Sequence, residues 1–248
     1  MKVLELLGVP GSGKTTLARE LTRSLPGAVS LEEAVRLALG ARGEDRLARA
    51  VANATRSEGG RLWKMVYARS TDRFSALVRF VAANPGVLST FLSAQETRVG
   101  RDRRQDLVLG WTLNLMARYQ LAKEGGRGDW LVVDEGFAQR GVALFAHGYD
   151  GSERSALDAY LASIPRAEAV VALDVPLDVC ADRLDRRDWS ERVRDLDPPG
   201  RRRFLESAND VMRLVAGQLE SEGTRVIWVD GTTSVADLVA LVAATLAT

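Results

Sequence analysis

Cysteine and histidine each occur once in this 248-residue sequence, as Cys180 and His147, and lysine occurs only at Lys2, Lys14, Lys64 and Lys123. A single cysteine excludes an internal disulfide and a cysteine-based zinc site; in "VPLDVCADRL" it reads as a core residue. The lone histidine lies among turn residues in "LFAHGYDG", which reads as structural and argues against a serine or cysteine nucleophile worked through histidine. No apolar run reaches the ~18 residues of a membrane span. The formal charge is +1 with charged residues spread along the chain, so no global field draws a polyanion or an anionic membrane surface. The expected partner is a small molecule, with neither nucleic acid nor membrane, and a homodimer remains open. Apolar residues make up 46% of the chain, ample for one buried core, and residues 1–248 read as a single α/β domain.

What is present begins with "GVPGSGKTT". Gly8, Gly13, Lys14 and Thr15 satisfy G-x-x-x-x-G-K-[ST], directly after the apolar run "KVLELL" and before "KTTLARELTRSL", whose apolar residues recur at helical spacing. Strand, phosphate loop and helix is the order the chemistry needs. Glycines without Cβ let successive backbone N–H groups turn toward phosphate oxygens at the positive end of a helix dipole. Gly8, Pro10, Gly11, Ser12, Gly13, Lys14, Thr15 and Thr16 are therefore the expected nucleotide-binding residues. Pro10 stiffens the loop, Lys14 brings charge to the β and γ phosphates, and the Thr15 hydroxyl is an expected Mg²⁺ ligand. With the loop starting at Gly8 there is no room for a cleaved leader, and a cytoplasmic protein is expected.

"GAVSL" (27–31) reads as a second strand that delivers Glu32 and Glu33 at its end. Residues from about 34 to 126 show helical segments and no strong strand, which reads as a helical insertion over the sheet. "DWLVVDEG", "AEAVVALDV" and "TRVIWVDG" are unbroken apolar runs alternating with helical segments, the pattern of a parallel sheet covered on both faces. Ligands of such sheets sit at the carboxyl ends of the strands, so the phosphate loop, Glu32, Glu33, Asp134 and Glu135 should share one crevice. Asp134 reads as a carboxylate that holds Mg²⁺, while Glu135 beside it also allows an ATPase strand whose glutamate activates water.

"VVALDVPLDVCADRLDRRD", with its proline turn and its arginines four residues apart, resembles the corresponding segment of the nucleoside and nucleoside-monophosphate kinase family, especially thymidylate and deoxynucleoside kinases. That resemblance implies a P-loop NTPase three-layer fold of about five parallel strands, with the helical insertion and an arginine lid from Arg183 to about Arg203. It implies that Arg183 and Arg187 stabilise the transferring phosphoryl group. "LNLMARYQLAKEGGRGDWLVVDEG" resembles the helix and strand that bring an arginine into the acceptor site, which falls on Arg118. "SLEEAV" resembles the place of the glutamate that takes the acceptor's hydroxyl proton, with Glu32 the better match and Glu33 the next. The sequence departs from the family where Glu135 stands in place of an arginine.

The expected activity is transfer of the γ-phosphoryl group of ATP, or GTP, with Mg²⁺, to a hydroxyl of a nucleoside or a nucleoside-like or amino-bearing natural product. Lys14, Glu32 or Asp134 as base, and the two lid arginines form the expected catalytic set; Glu33, Arg118 and Glu135 are the expected acceptor contacts. The preference for an uncharged or cationic acceptor rests on four carboxylates facing the crevice, with Arg98, Arg101, Arg103 and Arg104 as the cations that could reverse it. A thymidylate-type nucleotide kinase and an ATPase switch are the alternatives.

Overall fold

Five apolar runs form the sheet, and each ends where its sequence turns polar or glycine-rich. The computed structural model describes residues 1–42, 67, 71–98, 105–187 and 189–247. The strands are β1 (Lys2–Leu7), β2 (Ala28–Ser30), β3 (Trp130–Val133), β4 (Ala169–Asp174) and β5 (Arg225–Asp230), all parallel, in the order β2-β3-β1-β4-β5. The described helices are α1 (Lys14–Ser24), α2 (Leu31–Arg42), α3 (Thr71–Ala83), α4 (Pro85–Glu96), α5 (Gln105–Gly125), α6 (Phe137–Phe145), α7 (Arg154–Ser163), α8 (Leu177–Arg187), α9 (Pro198–Ser221) and α10 (Val235–Ala247). Successive residues Val3 to Leu7 of β1 are all buried, so both faces of the central strand are covered, as parallel sheets require. One face accounts for the aliphatic side chains; the other must also accommodate Glu5, which is only 2% exposed.

The second strand is shorter than the 27–31 expected, because Ser30 caps a helix. Its hydroxyl accepts the Glu33 amide N–H at 3.1 Å, the S-x-x-E arrangement that satisfies an orphan donor in a first helical turn. Glu32 and Glu33 therefore belong to α2 rather than to a strand end. At the other end of the chain the expected lid is also cut short. Asp197 accepts the Gly200 amide at 2.8 Å, and prolines occupy the first two positions of α9, where a missing N–H costs nothing. "DPPG" thus starts a 24-residue helix, and Arg201, Arg202 and Arg203 lie in its first turns.

Within the helical region, α2, α3, α4 and α5 carry the described part; residues 43–66, 68–70 and 99–104 lie outside the described residues, and with them Arg101, Arg103 and Arg104. The ring of Phe80 on α3 stacks on Phe137 of α6 at 5.3 Å and 13°, with Tyr119 of α5 edge-on to Phe137 at 5.3 Å, which ties these helices to the helix beside β1. Among the described residues no single helix is long and apolar enough to cross a membrane; α3 and α4 reach that length only as a pair bent by 95°.

Candidate active site

The expected phosphate loop, Gly8 to Thr16, follows β1 and Asp134 follows β3, neighbouring strands in the sheet. Val9 carbonyl accepts the Ser12 amide at 3.2 Å, closing a turn with Pro10 at its second position and Gly11, φ +83°, at its third. That is the type II pattern, which proline presets and which a residue with a Cβ resists. A Cβ on Gly11 would also lie 2.5 Å from the Cys180 carbonyl of α8, so the loop rests directly on the helix that carries Arg183. Gly13, φ +101°, precedes α1, and the Thr16 amide returns to its carbonyl at 3.0 Å.

Lys14 is 9% exposed and its Nζ donates to the Gly8 carbonyl at 2.7 Å and the Val9 carbonyl at 3.0 Å. Burial pulls its ammonium down to about 8, against the opposing pull of Glu135, Cys180 and Asp134. Thr15 Oγ1 donates to Asp134 Oδ2 at 3.2 Å, so the loop hydroxyl and the strand-end carboxylate meet. Ser12 Oγ is buried with no partner among the described residues. Arg183 reaches the loop from α8, its Nη1 3.4 Å from the carbonyls of Gly11 and of Ser12 and its Nη2 3.5 Å from that of Gly231. Arg187, one turn on, is exposed.

Glu135 does not stand as an uncompensated acid. Arg140 of α6, itself buried, donates to its carboxylate at 2.6 Å. Desolvation raises the Glu135 carboxyl, but the charges of Arg140 and Lys14 and the Arg140 hydrogen bond outweigh it and hold the group below its usual range. The Arg140 guanidinium also lies 5.6 Å from the Trp111 ring of α5. Glu33 lies 3.8 Å from Arg36 of its own helix. Glu32 is exposed at the second position of α2, beyond the end of edge strand β2, roughly 10 Å across the sheet from β1 at ordinary strand spacing. Arg118 is half-buried on α5 and its charge is felt at Tyr67. Arg98 is taken up elsewhere: it is 0% exposed, donates to Glu153 at 2.7 Å and to the His147 carbonyl, and lies over the Phe145 ring. It is structural and unavailable to an acceptor.

The sequence reading missed Glu5, Gln139 and Arg140. Gln139 Oε1 accepts the Gly8 amide at 3.0 Å, and Glu5 accepts the Phe137 and Ala138 amides at 3.1 and 3.0 Å, so the first turn of α6 is wired to β1 and to the loop. One signal was in the sequence: a charged residue inside "VLELL" must find partners once buried. Among the described residues no three His, Cys, Asp or Glu side chains converge as a metal cage. On the far side of the crevice a cleft of about 670 Å³ opens between the ends of β4 and β5, where Arg213 pairs with Asp174 and faces Trp228.

No protein-family model matches the chain, and no curated protein matches it. Solved structures do. A deoxyadenosine kinase from M. mycoides with bound dATP aligns over 100% of both chains with a TM-score of 0.53 and 14% identity. The chain has the fold of that kinase. The same kinase with bound dCTP aligns over 98% of each chain at 13% identity, with a TM-score of 0.49. The α/β architecture of about five parallel strands expected from the sequence is the one found.

Proposed function

We propose that the chain is an ATP-dependent kinase that phosphorylates a hydroxyl of a nucleoside or of a nucleoside-like or amino-bearing natural product. The observation that carries this reading is the meeting of three elements at one loop: Thr15 on Asp134 at 3.2 Å, Lys14 folded into the loop, and Arg183 against its outer carbonyls. An arginine so placed can meet charge developing on a transferred phosphoryl group. Lys14 would exchange the Gly8 and Val9 carbonyls for phosphate oxygens, and Arg183 would meet charge that develops on the transferred group. Thr15 and Asp134 are few, hard oxygen donors, which suits Mg²⁺ that keeps several waters and takes phosphate oxygens as further ligands. The ion, when bound, would neutralise charge between the transferred and leaving phosphates. Since Asp134 already engages Thr15, Glu32 is the better base for the acceptor hydroxyl, and its exposure leaves it able to meet one.

Arg140 favours a second reading, a nucleoside-monophosphate kinase. It is buried, its Nε has no partner among the described residues, and with Arg118 it could balance an acceptor phosphate. Glu33 and Glu135 both have arginine partners, so the acidic excess counted from the sequence shrinks by half. An ATPase switch is less well supported, because the Glu135 carboxylate, though exposed, is paired with Arg140 at 2.6 Å and held below its usual range, which weakens it as a base for water. A coupled ADP-release assay over nucleosides, hydroxylated antibiotics and nucleoside monophosphates separates the readings. Nucleosides or hydroxylated antibiotics should be the best acceptors. A monophosphate as best acceptor installs the second reading, and ADP release unaffected by any acceptor or by Lys14→Ala would sink both.

A further inference from the structure

Glu5 sits where an apolar side chain would be expected, in the middle of the central strand. Its backbone is in register with Val133 of β3, the residue directly before Asp134. Its side chain meets the chain again three residues beyond Asp134, where Oε1 accepts the Phe137 amide at 3.1 Å and Oε2 the Ala138 amide at 3.0 Å. One residue therefore grips both ends of the turn Asp134–Glu135–Gly136. Gly136 has to be glycine for this grip, since a Cβ there would lie 2.2 Å from Glu5 Cδ. The two amides are the first donors of α6, which have no intrahelical acceptor and which favour a negative partner.

We propose that Glu5 is a positioning residue of the phosphoryl-transfer site, holding Asp134 at its distance from Thr15 by clamping the turn that carries it. This rests on the kinase reading and adds to it a residue outside the loop and the two arginines of α8. The same helical turn carries Gln139, which accepts the first amide of the phosphate loop, and Arg140, which holds Glu135. Displacing the turn would shift Asp134 relative to the loop, which stands to lose only the Gln139 acceptor at Gly8 and keeps its own closing hydrogen bonds, Ser12 to Val9 and Thr16 to Gly13. The effect should thus fall on the metal-dependent part of nucleotide binding. The other ionisable groups felt at Glu5 are Arg140, Tyr119 of α5 and Tyr160 of α7; Tyr160 also donates to the Phe137 carbonyl at 3.1 Å, so the turn has a second support that lets the fold survive a change at Glu5.

Above about pH 8, where Glu5 is ionised, Glu5→Gln keeps the shape and removes the charge, and Gly136→Ala leaves Glu5 intact but drives a methyl group into its carboxylate. In the full chain, both should speed hydrogen exchange at the Phe137 and Ala138 amides about tenfold, the scale of a lost charged hydrogen bond. Both should weaken ADP binding about tenfold in Mg²⁺ and change it by less than about twofold in EDTA, because the defect lies in the carboxylate that faces the metal. General destabilisation would not produce that split. Unchanged amide exchange, or faster exchange with Mg²⁺-dependent ADP binding at the wild-type level, overturns the assignment of Glu5 and leaves the kinase reading standing. Wild-type protein that binds no ADP in either medium overturns the kinase reading, and this inference with it.

Discussion

At the scale of single residues, two buried charges make measurable commitments. Burial pushes the Glu5 carboxyl up from 4.5 to about 7, against the Ala138 and Phe137 amides and the Arg140 charge. A carboxyl raised in the folded state contributes stability that is fully present below about pH 4.5 and lost as pH rises through about 7. The shift corresponds to about 3 kcal/mol. Urea unfolding should therefore show the wild type losing roughly that much between pH 4.5 and pH 8 relative to Glu5→Gln, whose side chain does not titrate; parallel profiles for the two proteins would show that Glu5 ionises as it does in water. Lys14 shifts the other way, down to about 8, and phosphates placed against it should restore its proton. At pH 9, ADP binding should take up roughly one proton, seen by calorimetry in buffers of different ionisation enthalpy, and Lys14→Ala should abolish the uptake. Uptake that persists in the mutant would place the proton on another group.

At the scale of elements, helix starts decide where the working parts begin and end. Asp197 caps α9 and Ser30 caps α2; loss of either by alanine substitution should cost about 1 kcal/mol in unfolding experiments, and no loss for Asp197→Ala would mean that the two prolines suffice. Because Arg201, Arg202 and Arg203 lie in α9, they stand apart from the arginine that reaches the loop. Arg183 and Arg187 lie on α8, whereas Arg202 pairs with Glu206 along the exposed side of α9 at 2.9 Å. Arg183→Ala should lower kcat about a hundredfold with a smaller change in the KM for ATP, as a transition-state contact requires. Arg202→Ala should leave both within about twofold, since an exposed pair of this kind contributes little. Steady-state kinetics on the two variants, with whichever acceptor the screen identifies, would refute the assignment of the working arginine if their effects were equal.

At the scale of the whole molecule, the arginine-rich composition divides into cations that build and cations that face the crevice. Arg98 joins the end of α4 to Glu153 and the His147 carbonyl, entirely out of solvent. Arg98→Met leaves Glu153 without that partner and should destabilise the protein by about 3 to 5 kcal/mol, measured as a loss of unfolding free energy with nucleotide affinity little changed. A Tm equal to wild type would show that the pair is dispensable.

The sequence by itself determined the features whose signals are local: five apolar strand runs, the loop from Gly8 to Thr16, and the carboxylate at the end of "LVVD". Strand runs are read from neighbours in the chain, and a glycine loop between strand and helix has few other uses. Capping was equally local, and "SLEE" and "DPPG" could have been read as helix starts, but apolar and turn-forming residues beside them spoke more loudly for a strand and a mobile lid. What only the tertiary structure decided are pairings between residues far apart in the chain: Glu5 with the amides of α6, Gln139 with Gly8, Arg98 with Glu153, and Arg183 with the loop. The partner of Glu135 shows the limit most plainly, because Arg140 is only five residues away and yet faces it through the bend at Gly136, beside which Glu5 accepts the Phe137 and Ala138 amides. A buried charge announces that it needs a partner; which partner it finds depends on how strands and helices pack, and spacing along the chain does not carry that information.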